Sequence, residues 1–262
     1  MRVLFIGDIV GEVGRRFLLE QLASLSDEYR ADLIIANCEN AAGGFGITPK
    51  IAEEMLEKGI HVLTSGNHIW DKKEIMDYLS RETRLLRPAN YPEGVPGFGW
   101  VVIGSGVDKI GILNLSGRVF MNTLECPFRT AKKLIPEIKK ETKSIIIDFH
   151  AEATSEKVAM GWYLDGEAAA VIGTHTHVQT ADEQILPGGT AYITDVGMTG
   201  PSNSVIGIKK ESAIEKFLLQ MPKRFDMAKG PAVLSAVFLD IDASTGMAKT
   251  IERISIKDKK GI

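Results

Sequence analysis

Eight residues with metal-binding or acid–base side chains stand just beyond short apolar runs: Asp8, Glu39, Asn40, Asn67, His68, His150, His175 and His177. The chain has five histidines. Only His61 falls outside this set; it opens an apolar run instead of closing one, and is assigned to structure or surface. Carboxylates, carboxamide oxygens and imidazoles without a thiolate form a nitrogen–oxygen donor set of intermediate hardness, suited to iron, manganese, zinc or cobalt and not to calcium. On a strand, His175 and His177 address one cavity; in a loop each can face a different ion. Two ions roughly 3.5–4 Å apart need a bridging carboxylate, which Glu39 or Asp8 can supply. Taken singly, an Asp or Asn after a strand is more often a turn or cap, and a His more often a core imidazole. The convergence of several strand ends makes the set a site.

These residues need elements to place them. Apolar, β-branched runs at 3–6, 33–36, 61–63, 100–103, 110–115, 145–149, 168–172 and 191–193 predict buried strands. Between the early ones lie helix-period segments at 15–29, with Phe17, Leu18, Leu22 and Leu25 on one stripe, and at 49–58, opened by Pro49 and stopped by Gly59. Asp71 followed by Glu74 resembles a capping box opening a third helix that ends near Leu79, and 130–140 and 211–219 complete the helices. Such alternation predicts a mainly parallel sheet with helices on its faces, and ligands bind beyond the carboxyl ends of its strands. Residues 88–99 read as a surface connection into a hairpin turning at Gly104, Gly106 and Asp108, and a last hairpin pairs 232–241 with 247–256. The expected fold is α/β: two packed mixed β-sheets flanked by α-helices, one domain over residues 1–262, with the final hairpin in the second sheet.

Composition narrows the partners. A chain of 262 residues, 44% hydrophobic and 25% charged, is folded and not disordered. A net charge of −3 does not attract duplex nucleic acid, and the lysine-rich end, residues 257–260, is too short to change that. No stretch approaches the roughly 18 apolar residues of a membrane span. Two cysteines, Cys38 and Cys126, make no disulfide framework, and a cytoplasmic setting is expected. Self-association is compatible with the sequence.

The motifs Gly7-Asp8, Glu39-Asn40, Gly66-Asn67-His68, His150 and Gly173-Thr174-His175-Thr176-His177 resemble those of the calcineurin-like metallophosphoesterases. More closely, residues 38–44 (CENAAGG), 64–70 (TSGNHIW) and 148–152 (DFHAE) resemble the YmdB-like bacterial phosphodiesterases, along essentially the whole chain. Three positions depart from the wider pattern. Asp8-Ile9-Val10 stands where that pattern has Asp-x-His, Glu39 where an Asp is typical, and Ile69 where an acid commonly follows the Asn-His pair. The resemblance implies two metal ions, iron foremost, with manganese or zinc as alternatives. It places Asp8, Glu39, Asn40 and His177 on one ion and Glu39, Asn67, His150 and His175 on the other. It also implies hydrolysis of small cyclic nucleotides, 2′,3′-cyclic AMP or GMP, by attack of a metal-activated hydroxide, with His68 free of metal as general acid. The open alternatives are another phosphoesterase of the same fold, a protein phosphatase or nuclease, and a non-catalytic regulator that binds metal or nucleotide.

Four further features have bland readings beside them. The loop of residues 42–46 (AGGFG) lacks the Walker pattern and reads as a turn before it reads as a phosphate cradle. Phe45, Trp70 and Trp162 can stack on a base, yet large aromatics are more often packing residues. Glu152, two residues past His150, orients a ligand or is merely exposed. Cys38 reads as a small buried side chain.

Overall fold

The computed structural model describes residues 1–222 and 225–258, so the last two lysines of the charged end, Lys259 and Lys260, lie outside the described residues. In chain order the elements are β1 (Arg2–Ile6), β2 (Asp8–Ile9), α1 (Gly11–Tyr29), β3 (Leu33–Asn37), α2 (Pro49–Glu57), β4 (Val62–Thr64), α3 (Ile75–Leu79), β5 (Trp100–Ile103), β6 (Ile110–Ser116), α4 (Pro127–Ile138), β7 (Ser144–His150), α5 (Thr154–Tyr163), β8 (Ala170–Thr174), β9 (Gln184–Ile185), β10 (Ala191–Ile193), β11 (Met198–Pro201), α6 (Lys210–Leu219), β12 (Ala232–Ile241) and β13 (Ala248–Lys257). They form two mixed sheets. The first runs β2-β11-β12-β1-β3-β4 with β13 beside β12, and the second β5-β6-β7-β8-β10-β9. Strands β1, β3 and β4 are mutually parallel, as are β6, β7, β8 and β10.

Strand alternation sorts the core into layers. Val3, Phe5, Ile35 and Val62 of the first sheet meet Ile112, Ile146, Ile172 and Ile193 of the second in a buried interior. The opposite faces carry the helices. Leu4, Ile6 and Ile34 pack with Leu18, Leu22 and Met55 of α1 and α2, and Leu113, Ile147 and Phe149 pack with Ile135 of α4 and Met160 of α5. The apolar stripe expected on α1 is buried as expected. That helix begins four residues earlier than its stripe suggests, because Gly14 lets the first turn lie flush on β11: a β-carbon there would meet the Thr199 carbonyl oxygen at 2.1 Å.

The final hairpin is corrected. It forms, but in the first sheet, where β12 pairs antiparallel with β1 and β11 on one side and with β13 on the other. Leu234 and Ala236 face the α1 layer while Val237 and Leu239 face the interior between sheets. A strand buried on both faces belongs inside a sheet, and the place next to β1 buries both.

Helix α5 was not expected from the sequence. Its buried face includes Glu156, Lys157 and Gly161, so no apolar stripe marks it. The third helix is shorter than expected, and its N-terminus has no side-chain cap. Asp71 is engaged elsewhere.

Candidate active site

Both layers deliver residues to one rim. From the first sheet, β1 leads into Asp8, β3 into Glu39 and Asn40, and β4 into Asn67 and His68; from the second, β7 ends on His150 and β8 runs into His175 and His177. Parallel strands within each sheet put these carboxyl ends together. Close approach of the layers needs Gly66, where a β-carbon would stand 2.1 Å from the His150 ring. A cavity of about 250 Å³ opens here, lined by Glu39, Asn40, His68, Glu152, His175 and His177 with an apolar side of Val10, Phe45, Ile206, Ile208 and Met227.

The imidazoles are oriented from behind. Thr174 Oγ1 donates to Asp148 Oδ1 at 2.7 Å, so it accepts from His150 Nδ1 at 2.9 Å and leaves His150 Nε2 as the free lone pair. Glu152 Oε2 lies 3.0 Å from His175 Nε2, which makes that nitrogen the donor and leaves Nδ1 free. His177 Nδ1 donates to the Ile206 carbonyl at 2.8 Å, leaving Nε2 free. His175 and His177 both have left-handed backbone, at φ 101° and 65°, so the pair sits in a loop past β8 and its rings diverge.

The freed lone pairs face other acceptors. His150 Nε2 and His175 Nδ1 point at one another across 3.0 Å, and Glu39 Oε1 is 3.4 Å from the same His150 nitrogen. His177 Nε2 faces Asn40 Oδ1 at 3.1 Å, while Asn40 Nδ2 donates to the Gly44 carbonyl at 2.8 Å. Turning that amide over moves the mismatch to Gly44 without removing it. Asp8 Oδ1, Glu39 Oε2 and Asn67 Oδ1 are buried with no hydrogen-bond partner. Acceptors set against acceptors in a buried place need a proton or a cation between them.

Charge at the site follows the same logic. Burial raises Asp8 against the pull of His177 and His150. Burial also opposes ionisation of Glu39, but His150 and His68 overcome it and hold the carboxyl low. His150, despite burial, is raised to about 9 by Glu39 and Asp8, whereas burial and the repulsion of His150 and His177 push His175 down to about 2. A proton on His150 thus supplies one missing positive charge.

Among the described residues no group of three or more His, Cys, Asp or Glu side chains stands ready to hold an ion. The proton on His150 lies between His150 Nε2 and His175 Nδ1, 3.0 Å apart, in the place a cation would otherwise take. The donors nevertheless fit: ligands about 2.1 Å from one ion lie about 3.0–3.4 Å apart, which are the separations His150 Nε2 keeps from His175 and Glu39.

His68 stands apart from these contacts. Its backbone N–H donates to Glu39 Oε1 at 2.9 Å, and its ring Nδ1 meets Asp71 Oδ2 at 2.9 Å. Nε2 is therefore the nitrogen left to carry a proton toward the cavity. The acid missing after the Asn-His pair is supplied three residues on, by the Asp71 read from sequence as a helix cap. Of the aromatics, Phe45 packs edge-on against His68, Trp70 packs against Tyr91, and Trp162 lies exposed. The glycine-rich loop holds Asn40 through Gly44. His61 accepts from the Ile34 N–H, away from the site. Cys38 is buried, its thiol pushed well up by burial.

A family model for YmdB-like proteins matches residues 4–254. The chain belongs to that family. It is 51% identical over 258 residues to a 2′,3′-cyclic-nucleotide 2′-phosphodiesterase of Bacillus subtilis, covering 98% of both chains. It also superposes with a TM-score of 0.93 on two crystal structures. One is a hypothetical protein from Thermus thermophilus, 41% identical, covering 98% of this chain and 100% of that one. The other is a novel phosphatase from Mycoplasma pneumoniae, 38% identical, covering 98% and 94%. The expected recognition and fold class both hold for this YmdB-like chain. Among its described residues no helix is long and apolar enough to cross a membrane.

Proposed function

We propose that this YmdB-like chain is a phosphoric diester hydrolase that holds two metal ions and opens small 2′,3′-cyclic nucleotides such as cyclic AMP or GMP. The observation that carries the reading is the pair of acceptor-against-acceptor contacts, His150 with His175 and His177 with Asn40, beside three orphaned oxygens. Each contact supports one ion in this reading. His177 and Asn40 with Asp8 would hold the first, His150 and His175 with Asn67 the second, and Glu39 would serve both. When bound, the ions supply Lewis acidity and an activated water for in-line attack at phosphorus. The family resemblance puts iron first among the metals, with manganese or zinc as alternatives, and the nitrogen–oxygen donor set is compatible with all three.

The chain's own residues supply the rest. Two divalent ions, offset by Asp8, Glu39 and one hydroxide, would leave a single net positive charge, which suits the single negative charge of a diester better than a monoester dianion. Asp71, accepting from Nδ1–H, leaves His68 Nε2 to protonate the departing ribose oxygen. A cavity of about 250 Å³ is close to the lower end of ligand pockets, roughly 300–1,000 Å³. That size supports a ligand no larger than about one nucleotide, and its apolar side suits a base. The Bacillus relative's name supports the same reaction. We read the chain as one cytoplasmic domain with free cysteines.

Elemental analysis and turnover of 2′,3′-cyclic AMP, phosphopeptide and oligonucleotide on one sample test this. About two metals per chain, with cyclic-nucleotide turnover abolished by chelation, are expected. Stoichiometric nucleotide binding without turnover makes the protein a regulator instead. His68→Ala should keep both metals and lose about 10²–10⁴-fold in turnover; equal loss of metal moves His68 into the ligand set.

A further inference from the structure

Thr176, between the two diverging histidines, is gripped from behind. Its backbone N–H donates to Asp195 Oδ2 at 3.0 Å and its hydroxyl to the same oxygen at 2.7 Å. Lys157 Nζ donates to that oxygen as well, at 2.6 Å, and the Gly197 N–H donates to Oδ1 at 2.8 Å. Lys157 and Asp195 are sealed from solvent, with side chains 1% and 0% exposed. Lys157 comes from α5, Asp195 from the segment between β10 and β11, and Thr176 from the loop after β8. Three elements meet at one carboxylate, and neither charged residue lines the cavity.

A buried ion pair is a poor source of stability, since desolvation offsets the attraction, and an apolar pair of equal volume often serves as well. What apolar residues cannot do is accept hydrogen bonds from Thr176. Those bonds hold the one residue flanked by left-handed His175 and His177, a conformation that β-carbon-bearing side chains adopt only when their surroundings impose it. Released, the loop would relax toward extended backbone and bring both rings to one side. Held, it sends His175 toward His150 and His177 toward Asn40.

We propose that Lys157 and Asp195 are positioning residues: a buried clamp on Thr176 that keeps the two imidazoles apart, one for each ion. Lys157 supplies the counter-charge, and Asp195 supplies the acceptors. The inference rests on the two-ion reading above.

The test is calorimetric titration of the metal-stripped protein with Mn²⁺, alongside thermal unfolding of the metal-free form. The variant Lys157→Met/Asp195→Leu removes both charges and the acceptors for Thr176, leaving apolar side chains in their place. It is expected to fold and to bind Mn²⁺ about 10–100-fold more weakly, the usual consequence of losing a group that orients a ligand. A merely structural role lowers the melting temperature and leaves the Mn²⁺ affinity of the folded protein unchanged. Thr176→Val keeps the ion pair, removes one hydrogen bond, and is expected to weaken binding about five-fold. Wild-type Mn²⁺ affinity in folded Thr176→Val overturns the clamp, whether or not the double variant folds. Failure of the wild-type protein to bind any of Mn²⁺, Fe²⁺ and Zn²⁺ overturns the two-ion reading itself.

Discussion

The two sheets contribute differently to the rim they share. The first brings oxygen: Asp8, Glu39, Asn40 and Asn67, three of them with a buried oxygen that has no partner. The second brings nitrogen: His150, His175 and His177, each ring braced by Thr174, Glu152 or the Ile206 carbonyl. The nitrogen side has its direction fixed before any ion arrives, while the oxygen side holds unmet negative charge. Substitutions in the first sheet should therefore act through charge, and those in the second through orientation.

The largest break in that division is Glu39→Gln, which removes the carboxylate proposed for both ions. It should lower kcat/KM by about 10³-fold or more and reduce metal content, read by steady-state kinetics and elemental analysis. Next comes Thr174→Val on the nitrogen side. Without the Asp148–Thr174–His150 relay, His150 keeps its place but loses its brace, and Mn²⁺ affinity should fall about 10–100-fold. An unchanged affinity would show that packing against Gly66 alone orients the ring. Asp71→Asn probes the proton donor instead of the metals: both ions should stay bound, while kcat drops by about ten-fold, less than loss of the imidazole itself, with KM little changed.

The smallest effect tests whether the loop beyond His177 is held independently of the site. Asp182 accepts from the Thr194 N–H and hydroxyl. Burial raises its carboxyl, but bonds from Thr180 and Thr194 outweigh that and hold it below 3.8. The stability it adds is therefore present above that value and is lost as pH falls through its folded pKa. Asp182→Asn should melt below wild type at pH 7 and approach it as pH falls through the folded pKa of Asp182, while turnover at pH 7 is retained. Because this carboxylate is partly exposed, a shift of a few degrees is the expected size.

Most of the rim was legible because strand ends punctuate the sequence: apolar runs stop and a donor follows. The hairpin's sheet was not legible, because pairing of β12 with β13 is local while its pairing with β1 spans more than 200 residues. The near-continuous apolar run of β12, buried on both faces, was the available signal for a central strand. Helix α5 was hidden because it buries charge, Lys157 above all, and the clamp was hidden with it. Asp71 was misread as a cap because Asp at a loop-to-helix junction is ordinarily one, and only three-dimensional proximity to His68 separates the two roles.

Because the candidate ligand oxygens hang from one layer and the candidate ligand imidazoles from the other, neither layer holds the site by itself. A chain emerging from synthesis with one sheet formed has no competent centre, and reactivity switches on only at docking. Hydrolysis should thus report completed assembly of the two layers.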